Sequence, residues 1–313
     1  MKAVYLEEGA VNSGDLSLAP ITSLISTTVY KNTTEDNKFD HIGDAEVVFT
    51  NKVIFDEDTF RRCPSLRYLG VCATGYNVID LEAAKRHGVT VTYVPAYSTE
   101  SVAQLTWGFI IEMACHISEH DVSVHRGDWI RSDTFCYWLS PVTEISGKTI
   151  GIVGYGNIGR RVAEIAHAFR MNVLISTAHP EKYSGEDFVS LYELLEKSDI
   201  ITLHAPLNSA TERLVRKENI DRMKDGVMIV NVSRGGLVDE ADLAEALSSG
   251  KVSAAACDVV SSEPMKEDNP LLKAPNMIIT PHMAWASLEA RRRLIQTVAD
   301  NLKRSEERRV GKE

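Results

Sequence analysis

Three strand-like runs in the second half of this 313-residue chain each lead at once into a residue able to handle charge or protons. Arg234 follows Val230-Asn231-Val232-Ser233 and precedes Gly235-Gly236. Glu263 follows Cys257-Asp258-Val259-Val260-Ser261-Ser262, and His282 follows Ile278-Ile279-Thr280-Pro281. A guanidinium can hold a carboxylate and polarise a carbonyl. An imidazole can hand a proton to the carbonyl oxygen, and a neighbouring carboxylate orients that imidazole and favours its charged form. Hydride reduction of a 2-keto acid requires these groups. Singly, each has a plainer reading: a surface salt bridge, an exposed loop acid, a structural histidine. Their shared place past successive strands tips the reading, because parallel α/β sheets bind ligands outside the carboxyl ends of their strands.

A hydride needs a donor, and the sequence offers a place for one. Thr149-Ile150-Gly151-Ile152-Val153-Gly154-Tyr155-Gly156-Asn157-Ile158-Gly159 is a strand running into GxGxxG. A helical pattern follows, with Ile158, Val162, Ile165 and Phe169 on one side. Gly154 permits the tight turn, Gly156 lets a pyrophosphate approach the backbone, and Gly159 lets helix and strand pack closely. The amides near Asn157 and Ile158 would face phosphates from the positive end of a helix dipole. An acid that grips a ribose 2′-hydroxyl belongs at the end of the next strand, but Ser176-Thr177-Ala178-His179 stands there. Thr177 occupies the acid's place and would not repel a 2′-phosphate; His179 and Lys182 could add positive charge. An NADPH-accepting protein and an NAD protein whose ribose is held by Ser176, Thr177 or backbone both fit.

The elements that must position these groups alternate strand and helix, the pattern of βα units and a parallel sheet. Strands are predicted over residues 2–6, 45–50, 68–71 and 89–93, then over 149–153, 173–175, 200–203, 227–231, 254–259 and 277–280. Helices are predicted over 80–87, stopped by Gly88, and after Asp239, a capping residue, with Gly250 ending it. A long helical pattern after Thr99 could join two units, and another begins near Ser287. The charged residues from Arg304 to Glu313 read as a solvated helix end or an appended tail.

Composition bounds the alternatives. Hydrophobic residues make up 44% and charged residues 25%, so a sizeable core can form. A formal net charge of -10 argues against nucleic acid and anionic membranes as partners. It also means that an anion site must be built locally. Five cysteines without a CxxC pair argue against a disulfide framework or a zinc site and fit reduced thiols in the cytoplasm. No metal cluster is visible. The N-terminus has no signal-peptide pattern, and no stretch is apolar enough to span a bilayer.

Asn-Val-Ser-Arg-Gly-Gly, Asp-Val-Val-Ser-Ser-Glu-Pro and Thr-Pro-His-Met-Ala, with Leu203-His204-Ala205-Pro206-Leu207 and the glycine loop, resemble the signatures of the D-isomer-specific 2-hydroxyacid dehydrogenase family. The resemblance covers essentially the whole chain. It implies an α/β fold of two doubly wound parallel-sheet domains, a Rossmann cofactor domain and a flavodoxin-like substrate domain, with a cleft between them that closes to exclude water. By that resemblance residues 1–98 and 286–313 form the substrate domain and 99–285 bind NAD or NADP. Arg234 would bind the substrate carboxylate and carbonyl, His282 would be the general acid, and Glu263 its partner. Asp258 would contact the nicotinamide carboxamide, and His204, Pro206, Val232 and Ala284 would line the cofactor. Cys72-Ala73-Thr74-Gly75-Tyr76-Asn77 resembles the substrate loop, the amides of Thr74 and Gly75 receiving the carboxylate; the glycine also suits a turn that needs its dihedral freedom.

Ala73-Thr74-Gly75 and Phe135-Cys136-Tyr137-Trp138 are similar to the glycerate dehydrogenases, also called hydroxypyruvate reductases. Hydroxypyruvate/D-glycerate is thus the first expected substrate pair and glyoxylate/glycolate the second. Trp138 lies in a segment that, by resemblance, reaches across a homodimer. Formate dehydrogenases share the fold, but formate oxidation needs no acid–base pair. Corepressors that sense dinucleotides also resemble the family; the retained Arg234, Glu263 and His282 favour an enzyme.

Overall fold

A computed structural model describes residues 1–310, and the chain divides into two compact units: residues 1–98 with Trp285 onward, and residues 99–284. Trp285, grouped by sequence with the second unit, packs in the first, edge-on to Tyr97 with centroids 6.3 Å apart.

The first unit is a five-stranded parallel sheet. Its strands are β1 (Ala3–Tyr5), β2 (Thr27–Val29), β3 (Val47–Thr50), β4 (Tyr68–Val71) and β5 (Thr90–Thr92), in the order β2-β1-β3-β4-β5. The order reverses between β1 and β3, as in flavodoxin-like sheets. Alternate side chains feed two apolar layers. Tyr5, Phe49 and Tyr68 pack with Leu294, Val298 and Leu302 of the long helix Leu288–Val310. Leu6, Val48 and Leu69 pack with Phe55 and Phe60 on the other face. Burying each such side chain stabilises the fold by about 1.5–3 kcal/mol. The two chain ends are also tied by charge: Arg291, buried, donates from both terminal nitrogens to Asp15 at 2.7 Å, which holds that carboxyl well below the usual carboxylate range. Asp80 caps the helix Leu81–Arg86 by accepting from Ala83 N, and Gly88 follows with φ +70°.

The second unit holds β6 (Thr149–Val153), β7 (Asn172–Ser176), β8 (Asp187–Phe188), β9 (Ile200–Leu203), β10 (Val227–Asn231), β11 (Val252–Cys257) and β12 (Met277–Ile279). They pair in parallel in the order β12-β11-β10-β9-β6-β7-β8. Counted from β6, this is the dinucleotide-binding order with one strand added, and it reverses between β6 and β9. The central strands are buried on both faces, which explains why they are mostly apolar. Asp239 caps the helix Glu240–Ser249 through Ala241 N and Asp242 N, and Gly250 ends it with φ +78°.

Two edge strands, β2 and β8, escape the sequence reading. Thr27–Val29 is half exposed and carries no apolar run, and β8 has two residues. The strand predicted over 254–259 runs instead over Val252–Cys257, because at Asp258 the chain turns to anchor the next loop. The charged end from Arg304 continues the long helix to Val310; residues 311–313 lie outside the described residues. Among the described residues, no helix is long and apolar enough to cross a membrane, and no cluster of three His, Cys, Asp or Glu is arranged to hold a metal ion.

Candidate active site

At the end of β6 each glycine meets a distinct constraint. Gly154 has φ +96°, a conformation other residues rarely adopt, and a Cβ there would lie 2.6 Å from the His204 carbonyl carbon. Its N–H donates to Ser176 O at 2.8 Å, which fastens the turn to the end of β7. A Cβ on Gly159 would collide with the Gly154 carbonyl oxygen, so helix and turn touch through backbone. A Cβ on Gly156 would meet nothing within 4 Å. That open side, in front of the helix Asn157–Ala168 that begins with Asn157 and Ile158, suits a pyrophosphate.

His204, just past β9, bears on the same turn. Both of its ring nitrogens are buried without a hydrogen-bond partner among the described residues, although the residue as a whole is partly exposed. Burial pushes the imidazole down to about 3, so it is neutral at pH 7. A neutral ring with a buried donor and a buried acceptor fits a polar ligand such as a dinucleotide, as the glycine cradle does. Pro206 is exposed and accepts from Thr211 Oγ1 at 2.7 Å; Val232 is buried; Thr177 is partly exposed directly after β7.

The charged groups lie past β10, β11 and β12, three neighbours in the sheet. Asn231, fully buried at the end of β10, shapes the arginine turn: its side-chain amide donates to Arg234 O at 2.9 Å, and its oxygen accepts from Ser233 N at 3.1 Å. Ser233 Oγ donates to Ala205 O at 2.6 Å. Arg234 is exposed, bonds its own Ser233 carbonyl at 2.7 Å, and has no acidic partner among the described residues, so the salt-bridge reading does not hold. A Cβ on Gly235 would collide with the Val260 carbonyl, so the arginine turn abuts the loop that carries Glu263.

Glu263 Oε2 meets His282 Nδ1 at 2.7 Å, and Glu263 Oε1 accepts from Val260 N at 3.3 Å. With Nδ1 engaged, Nε2 is the nitrogen left to exchange a proton. His282 has φ +54°, unusual for a side-chain-bearing residue, and the surroundings hold it there. Its N–H donates to Asp258 O at 2.8 Å, and the N–H of Asp258 donates to Asn231 O at 2.9 Å. The Asp258 carboxylate, 1% exposed, accepts from Thr280 Oγ1 and from the amides of Met283 and Ala284, the latter two at 2.8 Å. The Ala284 carbonyl accepts from Ser101 Oγ at 2.6 Å. Asp258, read from the sequence as a nicotinamide contact, thus clamps the histidine loop; a carboxylate keeps room for a further donor. Asn231 was missed, although a polar residue closing an apolar strand was a usable signal.

In the first unit Thr74 is exposed, and its hydroxyl donates to Val94 O at 2.9 Å, fixing the loop after β4 to the segment that follows β5. Gly75 is not among the residues with left-handed φ.

The family model for the D-isomer specific 2-hydroxyacid dehydrogenase NAD binding domain matches residues 107–284. The chain is 45% identical over 308 residues to a hydroxypyruvate reductase from Blautia hydrogenotrophica, covering 96% of each. It is 40% identical over 260 residues to a glycerate dehydrogenase from Methylorubrum extorquens, covering 82% of each. Its fold matches an acyclic imino acid reductase solved with NADPH and D-Arg with a TM-score of 0.84 at 27% identity, covering 97% of this chain and 96% of that one. The strand order of the second unit is that of a dinucleotide-binding sheet, and by these matches the chain belongs to the D-isomer-specific 2-hydroxyacid dehydrogenases, oxidoreductases that move a hydride between NAD(P) and 2-keto or 2-hydroxy acids.

Proposed function

We propose that this chain reduces hydroxypyruvate to D-glycerate, with glyoxylate as a second substrate, and that it accepts NADPH. The observation that carries the chemistry is the 2.7 Å contact between Glu263 and His282 beside the arginine turn. The bound nicotinamide supplies the hydride. Arg234 holds the substrate carboxylate and polarises its carbonyl. His282 Nε2 delivers the proton to the carbonyl oxygen, and Glu263 favours the charged imidazole from the Nδ1 side. Thr74 and Gly75 offer amides to the carboxylate. Gly154, Gly156, Asn157, Ile158 and Gly159 take the pyrophosphate, and Thr177 the ribose. His204, Pro206, Val232, Asp258 and Ala284 line the rest of the cofactor. In this reading the first unit is the substrate domain and the second the nucleotide domain. The substrate choice is supported by the 45% identity to a hydroxypyruvate reductase, and the NADPH choice by the missing carboxylate at Thr177.

The working form is a homodimer. The segment 117–142 exposes Ile130 (89%), Phe135 (90%) and Trp138 (70%), an apolar surface that a second copy would cover. Five free thiols, three of them buried, suit the cytoplasm.

The test is oxidation of NADH and NADPH against hydroxypyruvate, glyoxylate, pyruvate and branched 2-keto acids. The highest kcat/KM is expected for hydroxypyruvate. A better pyruvate or branched substrate would overturn the substrate choice and leave the reaction class standing.

A further inference from the structure

Tyr155 stands between the first two glycines of the nucleotide turn, yet it is buried. Its ring meets Tyr183 edge-on with centroids 5.1 Å apart and Phe188 edge-on at 5.5 Å, and those two rings stack on each other at 6.1 Å. Its hydroxyl donates to Glu186 Oε1 at 3.2 Å, and Glu186 also faces His167 Nε2 of the helix Asn157–Ala168 at 3.0 Å. Burial, and then the facing Glu186 carboxylate, push the phenol up to about 12, so it stays a donor at neutral pH.

All of these contacts fall on residues 183–188, where the chain returns from Thr177 to β8. That strand has two residues and lies at the sheet edge, and the loop before it contains a single short turn, Pro180–Lys182. So short a ladder fixes little of a ten-residue loop. The glycine turn, through Tyr155, supplies the missing anchor.

We propose that Tyr155 is a positioning residue that sets the choice between NADH and NADPH, because it fixes the 177–186 loop against which the adenosine ribose rests. The inference depends on the assignment of Thr177 to the ribose 2′ position. Lys182 and His179, the basic side chains closest in sequence to that position, ride on the loop, and His179 Nδ1 meets Glu181 Oε1 at 3.2 Å. Hydrogen bonds to a 2′-phosphate or a 2′-hydroxyl are made or lost over less than an ångström, so discrimination follows loop placement.

The test is titration calorimetry with two fragments, ADP and adenosine 2′,5′-bisphosphate, on the wild type, Thr177→Asp, Tyr155→Phe and Glu186→Gln. Thr177→Asp should weaken the 2′-phosphorylated fragment at least tenfold relative to ADP. Tyr155→Phe and Glu186→Gln should each weaken the fragment preferred by the wild type about fivefold and the other less than twofold. Equal weakening of both fragments, no change in either, or a wild type without preference would overturn the inference. An unchanged ratio in Thr177→Asp removes the ribose assignment and the inference with it. A changed ratio there, with none in the other two variants, removes the inference alone.

Discussion

Two sets of loops leave the carboxyl edge of the same seven-stranded sheet and are held in opposite ways. The segments after β10 to β12, which carry Arg234, Glu263 and His282, are stapled by buried polar groups: the Asn231 amide, the Asp258 carboxylate, and backbone bonds that run Asp258 N to Asn231 O and His282 N to Asp258 O. The loop after β7 hangs on a two-residue edge strand, three aromatic rings and one tyrosine hydroxyl. Proton transfer tolerates little misplacement, so its groups need hydrogen bonds with fixed directions. A surface that distinguishes two forms of one ribose can be held by packing, and packing can be altered without touching the chemistry.

The comparison breaks most visibly at Asp258. Asp258→Ala leaves two backbone donors and a hydroxyl unpaired near a residue already at φ +54°. We expect kcat to fall about 100-fold or more, and stability to fall by about 3 kcal/mol. Kinetics and urea midpoints check both. A variant with kcat within threefold of wild type would mean that the histidine loop holds itself. On the other side, the fivefold changes in fragment affinity expected for Tyr155→Phe and Glu186→Gln measure how firmly the loop after β7 is tied.

An effect on stability alone sharpens the boundary between the two sets of loops, at His204. Its folded value of about 3 lies below its ordinary 6.5, so the unfolded chain binds a proton that the folded chain does not. This contribution is complete above pH 6.5 and is lost as the pH falls towards 3, by about 1.4 kcal/mol per pH unit. Between pH 7 and pH 5, the wild type should lose about 2 kcal/mol more than His204→Gln does, read from urea midpoints. Parallel losses would show that the ring is not held neutral.

Much of this was legible in the sequence where one physical demand acts on several residues at once. The glycine turn is legible because Gly154, Gly156 and Gly159 act together at one turn, and the doubly buried strands because their runs are mostly apolar. The edges were not legible: Thr27–Val29 is half exposed, and Asp187–Phe188 is too short for any pattern. Arg234, Glu263 and His282 were found by their place after strands. Of the residues that hold them, Asn231 reads as a strand-end polar group until its hydrogen bonds are drawn, and Asp258 reads as a nicotinamide contact, its clamp on the histidine loop being invisible before the fold is known. Tyr155 was hidden more deeply, since the glycine fingerprint leaves its position unspecified.

The central claim is that His282, paired with Glu263, protonates the substrate. It is tested most directly by kcat for His282→Ala with hydroxypyruvate at saturating NADPH, alongside the Kd for NADPH measured by fluorescence. The account predicts that kcat falls by about a thousandfold or more while Kd stays within about threefold. A variant that keeps kcat within tenfold of wild type would contradict it.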